Sequence, residues 1–168
     1  LLLALPIHVI GQEATKAAVI QESLQEKEKL TQNSIVKNIP FTNIGPTVMS
    51  GRVVDIDVNP EDPTEFYVGY ASGGLWYTNN NGTTFVPVLD NSPTQNIGDI
   101  AVDWKNGIIW VGTGENNSSR SSYAGIGILK STDKGKTWRN VGLTDSHHIG
   151  RILINPTNPD EVVVGVIG

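Results

Sequence analysis

The octapeptide "STDKGKTW", Ser131 to Trp138, is the stretch on which the fold turns. Its residue types suit a tight hairpin. Asp133 is placed to accept backbone N–H bonds across the turn, Gly135 to take a positive φ, and Thr137 to add a hydroxyl to the same network. Trp138 then begins a strand and buries its ring against the sheet. A second copy, "TNNNGTTF" at Thr78 to Phe85, starts at Thr78, has Asn80 in place of the Asp, keeps Gly82 and replaces the Trp by Phe85. The two glycines lie 53 residues apart. Two copies of one hairpin in one chain are a repeat, and the period of a repeat sets the architecture.

Working outward, "NPEDPTEFYVG" (Asn59 to Gly69) and "NPTNPDEVVVG" (Asn155 to Gly165) match each other, and "DWKNGIIWVG" between them ends in the same Val-Gly at Gly112. Turn signals divide a unit into "GRVVDIDVNP", "EFYVGYA", "GLWYT" and "TFVPVLD", four short runs rich in β-branched and aromatic residues. Four strands in roughly 45 to 50 residues is the blade of a β-propeller. The expected fold is all-β: a β-propeller fragment of two four-stranded blades and the start of a third, preceded by a signal segment and a short helix.

Composition agrees. The 168 residues are 38% hydrophobic, enough for a core, and only 17% charged, while 18 Gly and 9 Pro supply many turns. A net charge of -5 with no basic run gives nothing to hold a phosphate backbone, so nucleic acid is excluded as a partner. The absence of Cys excludes a disulfide framework and a thiolate metal site, and no cofactor or metal is expected. The opening "LLLALPIHVIGQEA" reads as the apolar part of a truncated secretory signal at 1–11, with Val9 and Gly11 before a cleavage point at Gln12; a buried helix start is the alternative. The run is too short to span a bilayer, so no membrane span is visible. Residues 12–38 read as a helical or flexible spacer and 39–168 as the N-terminal part of the propeller. Export to the periplasm or cell exterior follows from this reading.

The octapeptide resembles the Asp-box, or BNR repeat, of propellers in sialidases, sortilin-type receptors and xyloglucanase-type hydrolases. The pattern is complete in Ser131, Asp133, Gly135, Thr137 and Trp138, and partial in Thr78, Asn80, Gly82 and Phe85. The wider text, "NIGPTVMSGRVVDIDVNPEDP", "ASGGLWYTNNNGTTF" and "VGTGENNSSRSS" included, is similar to exported bacterial proteins of sortilin-like or glycosyl-hydrolase-like type. The resemblance implies that the box is a structural element of the rim, away from the ligand face.

With strands counted outward from the central channel, the loops after the second strand and between blades share one face, where propellers bind ligands. The first unit has the short "ASGG" there, including Ser72; the second inserts "ENNSSRSSYA". Long polar insertions on a rigid scaffold carry function. Glu115, Asn116, Asn117, Arg120 and Tyr123 are therefore candidate ligand contacts, with a solvated loop or inter-blade bracing as the alternative. Blade starts add Ser50, Gly51 and Arg52, and His147, His148, Gly150 and Arg151. Arg52 and Arg151 suit a carboxylate or sulfate, or bridge neighbouring blades. Adjacent His147 and His148 face opposite sides of an extended chain, which disfavours a shared metal.

Asp55 and Asp57 share one face of the innermost strand about 7 Å apart, within the roughly 5–9.5 Å of glycosidase carboxylates. Both sit on one strand, however, and a glycosidase places its acids on opposite sides of the scissile bond. The resemblance to xyloglucanase-type enzymes implies a catalytic Asp two residues before a Gly-Gly pair; here Ala71 precedes Ser72-Gly73-Gly74, and a methyl group transfers no proton. No catalytic residue is assigned. The expected function is a secreted binding module holding a peptide, protein or carbohydrate ligand on the loop face, with a glycoside hydrolase of xyloglucanase or sialidase type as the alternative.

Overall fold

The computed structural model describes residues 15–41, 51–117 and 122–167. The apolar opening at 1–11, Ser50 and Arg120 lie outside the described residues. Helix α1 (Ala17–Asn33) comes first. Its apolar residues Ala17, Ile20 and Leu24 recur at helical spacing; Ala17 is buried, and Ile20 and Leu24 pack against the larger core cluster. No helix among the described residues is long and apolar enough to cross a membrane.

Among the described residues ten strands follow, in three antiparallel sheets. The first runs β1 (Val53–Val58), β2 (Phe66–Tyr70), β3 (Gly74–Thr78) and β4 (Val86–Pro87) in spatial order β1-β2-β3-β4. The second repeats this with β5 (Ile97–Asp103), β6 (Ile108–Thr113), β7 (Ile128–Ser131) and β8 (Arg139–Gly142). The third pairs β9 (His148–Asn155) with β10 (Asn158–Ile167). These are successive sheets of a partial β-propeller, each packed face to face on the next.

The repeated Asn-Pro segments staple the first two strands of a sheet. Asn59 donates through Nδ2 to Glu65 at 2.6 Å, and Asn155 to Glu161 at 2.7 Å. Their side-chain oxygens accept backbone N–H from Glu61 and Thr157, closing the turn. The octapeptide hairpins match in their partners, with one bond reversed: the Thr137 hydroxyl donates to Asp133, whereas the Thr84 hydroxyl accepts from the Asn80 amide. Ser131 Oγ donates to Asp133 and accepts the Gly135 N–H at 2.8 Å, while Asp133 accepts from the Thr137 N–H at 2.9 Å and its hydroxyl at 2.7 Å. In the earlier copy Thr78 Oγ1 accepts the Gly82 N–H at 3.0 Å and Asn80 accepts the Thr84 N–H at 2.9 Å. Gly82 and Gly135 sit at φ 77° and 86°, the left-handed region that the turn requires. The aromatic residues diverge. Phe85 meets Phe66 edge-on within its own sheet, whereas Trp138 Nε1 donates to Val88 O at 2.8 Å, joining the second sheet to the first.

Register explains the three Val-Gly pairs. Gly69, Gly112 and Gly165 face Asp55, Asp99 and Arg151 respectively on the innermost strands. A Cβ at Gly69 would press on Ile97 and Ile100, and one at Gly112 on Ile149 and Ile152. The glycine is a socket for the aliphatic side chains of the next sheet's inner strand. Those side chains anchor the two core clusters, one holding Leu75, Leu89, Ile97, Ile100, Val111 and Leu129, the other Ala101, Ile128, Ile149 and Ile152. Leu75, Ile97 and Ile149 are fully buried, and each such side chain contributes about 1.5–3 kcal/mol relative to exposure.

Candidate functional site

The loop face is assembled from the entry to β1, the β2–β3 and β6–β7 connections, and the segments leading into β5 and β9. Its most buried polar group is Glu115, which stands at the start of the long β6–β7 connection with no solvent exposure. Arg52 holds it: Nε donates to Oε1 at 2.8 Å and an Nη contacts both carboxylate oxygens. The pairing raises the Arg52 pKa, with the hydrogen bond to Glu115 as the main cause. The Glu115 N–H donates to Tyr123 O at 3.0 Å, pinning the far end of the loop to its beginning. Two residues predicted as ligand contacts are thus brought together with each other, and the bracing alternative describes their geometry.

The neighbouring residues differ in what they leave open. Asn116 lies against Gly150, where a Cβ would strike its side-chain amide, so the same loop touches the first and third sheets. Asn117 and Ser72 are exposed, and Tyr123 presents its ring to solvent. His147 and His148 border a groove of about 490 Å³ with Ala124, Gly125 and Ile126, closed on its other side by Thr15 and Ile20 at the helix start. His148 Nδ1 is buried without a hydrogen-bond partner among the described residues. No cluster of three metal-ligating side chains occurs among them either.

The inner-strand acids make inter-blade bonds. Asp55 accepts the Ile100 N–H at 3.2 Å and Asp57 accepts the Val102 N–H at 2.8 Å and Trp104 Nε1 at 2.7 Å. Asp99, which the sequence reading did not single out, accepts the Ile152 N–H at 2.6 Å. Its signal was available: Asp99 precedes the apolar end of its strand at the same register as Asp55. Burial pushes the Asp99 carboxyl up to about 6, with Asp55 adding to the rise and the Ile152 N–H and Arg151 opposing it. Burial also raises Asp57, against the bonds from Trp104 and Val102.

Arg151 stands 3.6 Å from Asp99. The Gly-Arg pairs at 51–52 and 150–151 invite an equivalence, but Arg151 faces Gly165 as Asp55 faces Gly69. By register His148 is the counterpart of Arg52. The two arginines therefore belong to different layers of the face. Ala71 is buried, its N–H donating to Arg52 O at 2.9 Å and its carbonyl accepting the Ile97 N–H at 3.3 Å.

No family model matches the chain, and no curated protein does. Solved structures do. The chain superposes on the crystal structure of an ancestral GH74 enzyme with a TM-score of 0.56 and 20% identity, over 70% of this chain and 16% of that one. It superposes on the Niastella koreensis GH74 enzyme with a TM-score of 0.52 and 20% identity, over 66% of this chain and 16% of that one. The chain spans about 16% of the length of these structures. At this identity the likeness is one of fold, and the fold is a glycoside-hydrolase-like β-propeller.

Proposed function

We propose that the chain is part of an exported, Asp-box-type propeller that binds a ligand on its loop face without cleaving it, and that the ligand is a carbohydrate. The observation that carries this reading is the occupation of the acids. Asp55, Asp57 and Asp99 each give one oxygen to a backbone N–H of the next sheet, their other oxygens meeting the Ile56 N–H, Trp104 Nε1 and Arg151 respectively, and Glu115 is closed onto Arg52. General acid–base chemistry needs a carboxyl within hydrogen-bond reach of the substrate. Ala71, where the xyloglucanase pattern has an acid, is sealed between Arg52 and Ile97. The exposed residues of the face, Ser72, Asn117, Tyr123 and Arg151, are hydroxyl, amide, aromatic and guanidinium groups, a set suited to stacking on a sugar and hydrogen-bonding its hydroxyls.

The GH74 likeness supports a second reading, a xyloglucan-cleaving hydrolase. Affinity electrophoresis through gels containing xyloglucan or mixed-linkage glucan, beside a reducing-end assay on the same polymers, separates the two. Retardation that Tyr123→Ala abolishes, with no new reducing ends, is expected. Turnover of xyloglucan by the unmodified protein would overturn the binding reading, and absence of retardation by any glycan would remove carbohydrate as the ligand.

A further inference from the structure

The face opposite the loop face is made by the β1–β2 and β5–β6 connections, about 20 Å away along inner strands of six and seven residues. Between these two turns lies a pocket of about 280 Å³, lined by Asn59, Pro60 and Glu61 from the first sheet and by Trp104 and Lys105 from the second. The two sheets are joined beside it, where Asp57 accepts the Val102 N–H at 2.8 Å. The pocket is thus part of a sheet-to-sheet junction inside the chain.

Part of its wall is rigid. Trp104 Nε1 donates to Asp57 at 2.7 Å, and the indole packs on the ring of buried Tyr67 with centroids 5.2 Å apart. Asn59 is held through Nδ2 by Glu65 at 2.6 Å and through its oxygen by the Glu61 N–H at 3.0 Å, and the Pro60 ring fixes its own φ. Side chains already fixed in this way lose little freedom when a ligand arrives, which is what preorganisation means for affinity. Glu61 and Lys105 complete the wall. Both are exposed, and neither has an ion-pair partner among the described residues. Exposed charges are ordinary at turn tips; what sets these two apart is the fixed indole with which they share a pocket.

We propose that this pocket is a second binding site and that it takes a single neutral pyranose ring, the C–H face of the sugar on Trp104 and Pro60 and its hydroxyls on Asn59, Glu61 and Lys105. A pyranose divides as the pocket does, into an apolar face and a polar rim. Each sugar hydroxyl both donates and accepts, so it can use a carboxylate, which only accepts, and an ammonium, which only donates. The lining carries one charge of each sign, so it selects no charged ligand: an anion drawn to Lys105 meets Glu61, and a cation drawn to Glu61 meets Lys105. The volume lies just under the about 300–1,000 Å³ of sites for drug-sized ligands, which suits one ring and not a polymer threaded through. The site stands apart from the loop-face reading, since retardation in a gel of long polymers, where nearly every ring is linked at both ends, reports on the loop face.

The test is NMR of the indole N–H groups of the isotope-labelled full chain, which has four tryptophans, the Trp104 signal being the one absent from Trp104→Phe. The chain is titrated in turn with methyl β-glucoside, methyl β-galactoside and methyl β-xyloside, and with glycine as a zwitterion that could also use both charges. A saturable shift of the Trp104 signal is expected with at least one glycoside. It should be unchanged in Tyr123→Ala, which alters the loop face. Glu61→Ala and Lys105→Ala, at exposed turn positions, should leave the rest of the spectrum as it was and each weaken the binding about fivefold or more. No shift with any glycoside, a shift that either charge variant leaves intact, a shift lost in Tyr123→Ala, or a response to glycine alone would each overturn the proposal.

Discussion

Asp99→Asn should make the protein more stable at neutral pH and flatten its response to acid. The Asp99 carboxyl is buried, beside Asp55, and titrates at about 6 against an ordinary 3.8. Because the folded state holds the proton more tightly than the unfolded chain, stability is fullest below the ordinary pKa and is lost as pH rises through the folded one. The difference between 3.8 and about 6 corresponds to about 3 kcal/mol at most. Asn keeps an oxygen for the Ile152 N–H and has no charge to desolvate. It gives up the contact with Arg151, whose side chain is mostly exposed, so that loss is about 0–1 kcal/mol. The net expectation is a gain of about 2 kcal/mol for Asp99→Asn at about pH 7. Urea midpoints between about pH 7 and 4.5 test it. The wild type should gain stability toward acid, and the variant should keep only the shallow slope that the raised Asp57 contributes. A wild-type midpoint that is flat or falls over this range, or a variant with the wild-type slope, refutes the reasoning.

Arg52→Met leaves the Glu115 carboxylate buried without its partner and should lower the urea midpoint, with most of the loss recovered in the Arg52→Met, Glu115→Gln double variant. Gly135→Val forces a β-branched residue to φ 86° against Val88 and should cost about 1–3 kcal/mol in the same assay, with glycan retardation of the folded fraction unchanged. Trp138→Phe removes the bond to Val88 O and should lower stability by about 1 kcal/mol, whereas Phe85→Leu, at a ring whose aromatic partner Phe66 belongs to its own sheet, should leave the packing between the first two sheets intact by tryptophan fluorescence. Below about pH 4 the hairpin adds its own loss. Asp133 is held down to about 2, chiefly by the Thr137 hydroxyl, so its stabilisation is present at neutral pH and is lost as pH falls through that value.

The hairpins were legible because every bond in them is local: Ser131, Asp133, Gly135 and Thr137 satisfy one another within a few residues, and residue type alone identifies such a network. The strands were legible for the same reason, since β-branched runs and Asn-Pro stops act at short range. Arg52 and Glu115 were each placed on the right face, but their bond spans 63 positions and depends on how two sheets stack. Nothing in residue spacing carries that. Arg52 and Arg151 each follow a glycine, but the inner-strand bulge falls at the same register in both sheets and Arg52 stands before it whereas Arg151 stands after it. Counting back from the Asn-Pro stop instead aligns Arg151 with Asp55, and strand register puts Asp99 at the same position. The contact of helix α1 with the groove beside His147 was not readable either, since its stripe is only Ala17, Ile20 and Leu24.

The inner-strand register puts its acids in the interfaces between sheets. At Asp55 and Asp99 the carboxylate replaces a ladder bond that the sheet-to-sheet interface cannot make, because the inner strands of neighbouring sheets meet face to face and leave backbone donors pointing at one another's side chains. An acid in that position is fixed by the N–H it accepts, so moving it toward a substrate would orphan a buried donor at a cost of about 1–3 kcal/mol. Where Arg151 takes the position instead, its side chain is mostly exposed and stands beside Asp99. The layer thus changes from acid to base across three sheets without any change in the socket glycines that set the spacing. Outside that layer, the residues of this face that stand exposed among the described ones include the loop residues Ser72, Asn117 and Tyr123.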